Sequence, residues 1–373
     1  MLLFLLACVL PAFLVSLAAT EFVRRRAAGW GLIDRPAARK VHRQPTPLGG
    51  GLAIWLGVVL PIAAAHLTAW LVAEGAISDA VLAAFFSRLP VHLPGVLEQA
   101  GRMWLILVGG TLLACLGLLD DRRGLPVWPR LAVQLCVAAG LVAAGVRATV
   151  FVDLPWIGGT VSVAWIVLLV NAFNFLDNMN GLTGGIGLIA ASVLAAVMLT
   201  SLDEPQWLVG GALLVLAASL AGFLAHNWRG RIFMGDSGSY FVGLVMASMT
   251  IVGTFYEHDG GHGPRHVMLA PLCILAVPLY DFGSVVLIRL LQGRSPFQPD
   301  KSHFSHRLVE LGLSQRGAVL TIHLATLTTG LAALLLYRVE SWTGAVLIAV
   351  LVVCVLAIIA ILETAGRRAG RNP

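Results

Sequence analysis

Charged side chains are scarce in this sequence. Only 12% of its 373 residues are Asp, Glu, Lys or Arg, whereas 58% are hydrophobic and the mean hydropathy is +0.88. Soluble globular proteins carry about 25% charged residues. Because this chain has too few charges to cover a water-facing surface, its composition excludes an ordinary soluble enzyme and indicates an integral membrane protein.

Paired cysteines are lacking as well. The five cysteines all lie within apolar runs, and no two of them form a Cys-x-x-Cys pair. This distribution argues against a disulfide framework and against a zinc site. The net charge of +6 does not indicate a nucleic-acid partner, because the basic residues flank apolar runs and are typical signals of membrane topology.

Long apolar runs, by contrast, recur along the whole chain. A helix that crosses a bilayer needs about 20 mostly apolar residues. We therefore predict an all-α fold, a polytopic bundle of about eleven transmembrane helices that forms a single integral membrane domain, residues 1–373. The predicted spans are 1–19, 48–73, 102–119, 130–146, 157–175, 182–200, 207–225, 238–256, 267–291, 317–338 and 343–363.

The distribution of Lys and Arg orients this bundle. With the N-terminus outside, 20 of the 25 Lys and Arg residues fall in inside segments and five in outside segments. Cytoplasmic loops carry such an excess of positive charge. We therefore predict an outside N-terminus, a cytoplasmic C-terminus and a multi-pass location in the inner (plasma) membrane. We expect the first apolar run to be a retained span, because its arginines follow it, whereas they precede the apolar region of a secretory signal.

Segments with chemically reactive side chains all fall on the cytoplasmic side of this topology. They lie near residues 34–47, 120–129, 174–182, 226–238 and 292–314. Nothing in the span assignment required this agreement. We therefore expect the five loops to form one active site that faces the cytoplasm.

The most acidic of these segments follow the third and fifth spans. Asp120 and Asp121 end a span, where acidic side chains are unfavourable against the helix dipole. They either cap a helix end in water or form a Mg²⁺ or phosphate site, since Mg²⁺ takes carboxylate oxygens together with substrate phosphates. Asn171, Asn174 and Asp177 follow each other at three-residue steps, which makes one polar stripe on a helix. The alternative for this stripe is polar contact between helices.

Two further aspartates each allow two interpretations. Asp236 lies between Gly235 and Gly238, and glycines permit close approach of the backbone to a ligand. The same pattern also fits a helix N-cap. Asp281 lies within the ninth predicted span, where it either lines a cavity or is a buried structural partner.

Basic side chains accompany the acids. His303, His306 and Arg307 are spaced so that one helical face can present all three, although loop histidines are commonly just solvated. Lys40 and His42 lie in the first cytoplasmic loop. Guanidinium and ammonium groups suit phosphate oxygens, and Arg307 and Lys301 supply one of each in the loop with the histidines.

The ordered set of motifs resembles the polyprenyl-phosphate N-acetylhexosamine-1-phosphate transferases, over about residues 30–315. The resemblance implies transfer of a sugar-1-phosphate, N-acetylglucosamine-1-phosphate by default, from a UDP-sugar to membrane polyprenyl (undecaprenyl) phosphate. UMP is released and Mg²⁺ is the cofactor, with Mn²⁺ able to replace it. This would be the first membrane step of cell-envelope glycan synthesis. We expect no nucleic-acid partner for this reaction, and the sequence leaves open whether the protein forms a homodimer.

The resemblance also assigns roles to residues. It implies that Asp120, Asp121 and Asp177 are catalytic, with Asp120 the candidate base at the lipid phosphate, and that Asp236 binds the metal together with Asp120 and Asp121. Asn180 stands where the family usually has a second acid, and Ser305 where it often has another histidine. The implied substrate-binding residues are Lys40, His42, Asn174, Asn180, Asn227, Phe233, His303, His306 and Arg307.

The rival hypothesis is a membrane transporter or flippase for an anionic sugar or lipid phosphate. Such a protein would also need polar residues within its spans. Transporters typically have repeated halves and a polar site near the middle of the bilayer. The motifs of this chain lie at one membrane face and the sequence shows no internal repeat, so the pattern favours the enzyme.

Overall fold

A computed structural model describes residues 1–35, 44–76, 89–148, 154–202, 204–254, 265–297, 300 and 302–369. Over this part of the chain the predicted all-α fold is confirmed, with one 3₁₀ helix, Arg265–Leu269, and two short strands besides the α-helices. The helices are α1 Leu2–Arg26, α2 Gly50–Ala73, α3 Leu89–Arg123, α4 Val127–Ala143, α5 Pro155–Leu176, α6 Leu182–Thr200, α7 Trp207–Asn227, α8 Gly235–Thr254, α9 Ala270–Ile274, α10 Ala276–Leu291, α11 Phe304–Glu310, α12 Gln315–Leu336 and α13 Trp342–Ala369.

Most of these helices have the length and composition of membrane spans. Among the described residues, nine helices are long and apolar enough to cross a bilayer, and a tenth span results if the pair Arg265–Ile274 and Ala276–Leu291, bent by 67°, is counted as one. Helix α4 is apolar but shorter. Each predicted apolar run overlaps one of these helices or, at 267–291, the bent pair, so hydrophobic length located them.

Helix α8 is at the centre of the bundle. Of its most apolar stretch 89% is buried, against 11% for α1 and 17% for α13, which therefore lie at the rim. α8 packs against α2, α3 and α5. The end of α3 approaches the start of α8 so closely that a Cβ on Gly117 would lie 2.4 Å from the carbonyl oxygen of Asp236. A glycine at this position lets the paired acids of α3 reach the first turn of α8.

Backbone hydrogen bonds join the loops at this end of the bundle. Strands β1 Ile33–Asp34 and β2 Thr46–Pro47 pair antiparallel. The N–H of Phe233 donates to the carbonyl of Pro47 at 2.9 Å, and the N–H of Gly50 donates to the carbonyl of Phe233 at 3.0 Å. The loop between α1 and α2 is thereby fixed to the segment that precedes α8. Lys40 and His42, predicted to bind substrate, lie outside the described residues.

Candidate active site

Carboxylates from three helices meet at the first turn of α8. Asp121 accepts hydrogen bonds from the backbone N–H groups of Asp236 at 2.9 Å and Ser237 at 3.3 Å. Asp177 accepts one from the N–H of Gly235 at 3.1 Å. The first N–H groups of a helix have no partner within it, and they carry the positive end of its dipole. The start of α8 therefore stabilises acids that are unfavourable at the ends of their own helices.

The chain can make this turn only with a glycine. Gly235 has a φ of 75°, in the left-handed region, and a Cβ at this position would lie 2.5 Å from Oδ2 of Asp121. A side chain there would be strained and would displace the carboxylate.

Arg130, at the start of α4, supplies a counter-charge. Its Nη1 lies 2.6 Å from Oδ2 of Asp120 and 3.6 Å from Oδ2 of Asp236, and it donates to the hydroxyl of Tyr240 at 3.3 Å. The other oxygen of Asp120 accepts the N–H of Leu125 at 2.6 Å. In the sequence, Arg130 counts only among the basic residues that indicate topology. The available clue was a basic residue ten positions after the paired acids, at the start of a short apolar helix.

The predicted polar stripe on α5 divides between two partners. Asn174 donates from Nδ2 to Asp236 at 2.7 Å and to Ser239 at 3.1 Å, so it contacts the acidic cluster. Asn171 donates to Gln134 of α4 at 2.7 Å instead. Both interpretations of the stripe therefore apply, one to each asparagine.

Asp177 follows the last residue of α5. Burial raises the pKa of its carboxyl to about 7, and the negative charge of nearby Asp121 adds to that effect. A group with a pKa near neutrality can both accept and release a proton under physiological conditions. Asp120, in contrast, is held in an ion pair with Arg130, which suits a base less well.

The acidic cluster fits the Mg²⁺ ion that the family resemblance implies. Asp120 and Asp236 both lie within 4 Å of the same nitrogen of Arg130, at 2.6 Å and 3.6 Å, and carboxylates brought so close together need a shared proton or a cation. With Asp121 and Asp177 nearby, the ion pairs of Arg130 leave an excess of negative charge. No three of the described His, Cys, Asp and Glu side chains surround one point as ligands, but Mg²⁺ usually takes only one or two carboxylates, with waters and substrate phosphates.

Asn227 holds two loops of the site together. Its Oδ1 accepts the N–H of Gly181 at 2.7 Å, and its Nδ2 donates to the carbonyl of Ile232 at 2.8 Å. The side chain is only 5% exposed. This geometry gives Asn227 a positioning role, and direct contact with substrate stays a prediction.

Asn180 precedes Gly181 and Phe233 follows Ile232, the two residues whose backbone Asn227 binds. Asn180 is exposed and lines a cleft of about 180 Å³, together with Trp228, Arg229 and Arg316. Phe233 is half-buried, and its backbone is bound to the first loop. Two arginines at one cleft suit an anionic group. Contact of Phe233 with substrate stays a prediction.

The histidine loop packs against the end of α5. The ring of His303 lies edge-on to Phe175, with the centroids 5.7 Å apart, and 6.2 Å from the ring of His306. Ser305 donates to Oδ1 of Asn178 at 2.5 Å. The position where the family often has a histidine thus joins two loops of the site. Contact of His303 and His306 with substrate stays a prediction.

Asp281 is a buried structural partner of this loop. It is completely buried, and it accepts the N–H of Phe304 at 2.6 Å while its other oxygen lies 3.0 Å from Nδ1 of His303. Of the two interpretations that the sequence allowed, this geometry selects the structural one.

Arg307, predicted to contact a substrate phosphate, is paired with groups inside the protein. It is 2% exposed, and it donates to the carbonyl of Ser302 at 2.6 Å and to Oγ of Ser284 at 2.9 Å. Its Nε lies 2.8 Å from Glu363 of α13. The guanidinium group is therefore used inside the protein, where it ties α11 to α10 and α13. The sequence pattern could not identify this partner 56 residues away.

A second buried arginine pins the loop before α11. Arg289 lies 2.9 Å from Oδ1 of Asp300 and donates to the carbonyl of Pro296 at 2.6 Å. Burial raises the pKa of Asp300, but hydrogen bonds from Arg289 and Ser302 outweigh it and lower the pKa to about 2. The carboxylate is therefore charged at neutral pH, and the ion pair orders the segment that leads to the histidines.

Comparison with known proteins places this site in a family. A family model described as glycosyl transferase family 4 matches residues 103–254, which contain all four clustered aspartates. The chain is 35% identical to a decaprenyl-phosphate N-acetylglucosaminephosphotransferase of Mycolicibacterium smegmatis, over 84% of this chain and 78% of the relative. It is 31% identical to a probable undecaprenyl-phosphate N-acetylglucosaminyl 1-phosphate transferase of Bacillus subtilis, over 92% and 89%. For an undecaprenyl-phosphate alpha-N-acetylglucosaminyl 1-phosphate transferase of Escherichia coli the identity is 26%, over 82% and 76%.

These relatives share the chain over most of its length, and the matched region carries the acidic cluster at the start of α8. The chain therefore belongs to the polyprenyl-phosphate N-acetylhexosamine-1-phosphate transferases, glycosyl transferase family 4.

Proposed function

We propose that this protein transfers N-acetylglucosamine-1-phosphate from a UDP-sugar to a membrane polyprenyl phosphate and releases UMP. An oxygen of the acceptor phosphate forms a bond to the sugar-bearing phosphorus. The pyrophosphate bond to UMP breaks, and its electron pair leaves on the UMP oxygen. The product is a lipid-linked sugar pyrophosphate, as in the first membrane step of envelope glycan synthesis. Relatives over more than 80% of the chain are named for this type of transfer.

The observation that carries the proposal is the cluster of Asp120, Asp121, Asp177 and Asp236 at one helix N-terminus, with Arg130 beside it. Two anionic substrates must approach each other in this reaction. Helix N-termini and arginines attract phosphate oxygens, whereas carboxylates attract the cation that accompanies a pyrophosphate. A cluster with both kinds of group suits phosphoryl transfer.

The contacts of each side chain in the cluster indicate its role in the reaction. Asn174 fixes the carboxylate of Asp236, and Asp121 is fixed by the backbone of α8. Asp177, with a pKa near neutrality, is the best placed to hold a proton of the acceptor phosphate. That contribution is limited, because the second pKa of a phosphate monoester is about 6.

Mg²⁺ belongs to the proposal as cofactor. Asp120 and Asp236, which both lie close to Arg130, would hold it, and Asp121 would support them. Bound Mg²⁺ supplies Lewis-acid neutralisation of the charge that develops on the pyrophosphate oxygens. Mn²⁺ prefers the same oxygen ligands, so we expect it to substitute.

The proposal includes eleven spans, with the N-terminus outside and the site facing the cytoplasm. Helix α4 begins near Arg130, beside Asp120, and α5 ends next to Asp177 at the same cluster. Because both ends lie at the site, α4 must lead away from it and α5 must return. A 17-residue helix is at the short end of the range that spans a bilayer. The basic loops at the site end support a cytoplasmic orientation in the inner membrane.

The test uses purified protein with polyprenyl phosphate and a panel of UDP-sugars. We expect UMP and a lipid-linked sugar to appear together, only when both substrates and Mg²⁺ are present, and fastest with UDP-N-acetylglucosamine. Turnover that survives excess EDTA would remove the metal from the proposal. In sealed proteoliposomes, movement of UDP-sugar or lipid phosphate across the membrane without UMP release would support the transporter instead.

A further inference from the structure

Two helices that carry site residues begin at an aspartate supplied by another helix. The first is α8, whose N–H groups bind Asp121 of α3. The second is α11, where the N–H of Phe304 donates to Oδ1 of Asp281 from α10 at 2.6 Å. Neither the acidic cluster nor the proposed function accounts for Asp281, which lies inside the bundle and is completely buried.

The second oxygen of Asp281 holds the ring of His303. Oδ2 lies 3.0 Å from Nδ1, so one carboxylate fixes both the backbone at the start of α11 and the imidazole beside it. A carboxylate at Nδ1 requires the proton there. It therefore selects one tautomer and leaves Nε2 as the nitrogen available to a substrate.

Capping alone does not explain a charged residue at this position. An asparagine or serine accepts the same backbone N–H at a helix start, and a carboxylate buried within a membrane protein is far more expensive. A carboxylate offers a second acceptor oxygen to Nδ1–H of the imidazole, whereas an amide or a hydroxyl has only one oxygen.

The ring held in this way packs against α5, the helix that also carries Asn174. His303 packs edge-on against Phe175, which follows Asn174, the residue that donates to Asp236. The other face of the histidine loop is fixed by Ser305, which donates to Asn178. His303 is therefore held between α10 and α5, and α5 ends at the acidic cluster.

We propose that Asp281 is a positioning residue for the transfer, which holds His303 by Nδ1 so that Nε2 is presented to the pyrophosphate of the UDP-sugar. This inference rests on the proposed function. It assigns Asp281 an effect on donor use through His303, beyond its contribution to the fold.

Asp281→Asn separates positioning from capping. The amide oxygen still accepts the N–H of Phe304, but the amide nitrogen now faces Nδ1 of His303 and forces the proton to Nε2. We expect kcat/KM for the UDP-sugar to fall about tenfold to a hundredfold, as is typical when a partner that orients a histidine is lost. The KM for polyprenyl phosphate and the Tm should stay close to wild type. Ser341→Ala, which removes the side chain that accepts the N–H of Gly344 at the start of α13, is the control and should leave kcat/KM unchanged.

A double-mutant cycle with His303→Ala identifies the route of the effect. If Asp281 acts through His303, then Asp281→Asn should reduce kcat/KM further by less than twofold in the His303→Ala background. Additive losses, or a wild-type kcat/KM for Asp281→Asn, would overturn the proposal.

Two further measurements cover a misfolded Asp281→Asn variant and separate this inference from the proposed function. If Asp281→Asn does not fold, His303→Gln keeps both the cap and a donor to Asp281, and a wild-type kcat/KM for that variant would equally refute the proposal. Release of UMP by the wild-type protein tests the proposed function separately. Its absence would reject that function, whereas an active wild type with an unaffected Asp281→Asn rejects only this inference.

Discussion

Asp121, near the end of α3, caps the helix that carries Asp236, since its Oδ1 accepts the backbone N–H of Asp236 at 2.9 Å. The two acids are 115 positions apart in the chain. Their pairing is favourable because the C-terminal end of α3 repels a carboxylate, whereas the N-terminal end of α8 attracts one. Asp121 therefore has a structural role besides its predicted catalytic one.

Amide and alanine variants of Asp121 should separate these roles. Asp121→Asn keeps an acceptor for the N–H groups of α8, so we expect a Tm close to wild type. Asp121→Ala removes the cap, which costs about 1 kcal/mol and should lower the Tm. Because both variants lose the negative charge at the cluster, UMP release should fall about 100-fold or more in each. Full activity of Asp121→Asn would show that this acid only caps the helix.

Arg130 should control both the rate and the metal requirement. Arg130→Met removes a cation from Asp120 and Asp236, so the cluster becomes more negative. We expect kcat to fall about 100-fold, while the Mg²⁺ concentration that gives half-maximal rate decreases. The measurement is UMP release against Mg²⁺ concentration. Arg123→Met, which removes an exposed arginine from the end of the same helix α3 as Asp120, is the control. If both variants behave alike, Arg130 is only part of the general positive charge of this face.

The helices could be predicted from the sequence because membrane spans are defined by a local property. Apolar runs of sufficient length located every long helix, and even the bent pair at residues 265–291 coincided with one run. The expectation of one acidic site also came from topology, since loops on the same side can meet. Asp236 lies in the first turn of α8, and Asp177 binds a backbone N–H of that turn, as expected from such convergence.

The partners of individual side chains could not be predicted in this way. Arg130 contacts Asp236 from 106 positions away, and Arg307 contacts Glu363 across 56 positions. No periodicity encodes such pairs, because they depend on how separate helices pack. The chemistry of Arg307 predicts that it binds phosphate, whereas in the folded protein it is buried and paired with Glu363.

Membrane orientation can be tested with two matched cysteine substitutions in a variant without the five native cysteines. Ser295 lies in the loop after α10, and Ser341 lies between α12 and α13; both are exposed. With eleven spans and an outside N-terminus, the first is cytoplasmic and the second is outside. An impermeant maleimide applied to intact cells should label Ser341→Cys and should label Ser295→Cys only after the membrane is opened. The reverse pattern would invert the topology and place the active site outside.

The ion pair of Arg307 and Glu363 offers a test of whether Arg307 serves the fold or the substrate. Both side chains are nearly completely buried, at 2% and 4% exposure, and their charged atoms lie 2.8 Å apart. Removing one partner leaves an unpaired buried charge, which typically costs about 3–5 kcal/mol. We therefore expect Arg307→Met and Glu363→Leu each to lower the Tm markedly, with a loss of activity that follows the loss of folded protein.

The double variant Arg307→Met/Glu363→Leu distinguishes the two roles. Replacing both members of a buried pair by apolar residues of similar size is often neutral or stabilising. If Arg307 serves only to tie α11 to α13, the double variant should recover most of its Tm, and with it the KM for UDP-sugar. If Arg307 instead binds a substrate phosphate, methionine cannot replace it. The double variant would then be stable but would bind UDP-sugar poorly. Thermal unfolding and UMP release, measured on the same preparations of the three variants, decide between these outcomes. Recovery of stability without recovery of KM would reinstate Arg307 as a substrate-binding residue and would require its guanidinium group to leave Glu363 when substrate binds.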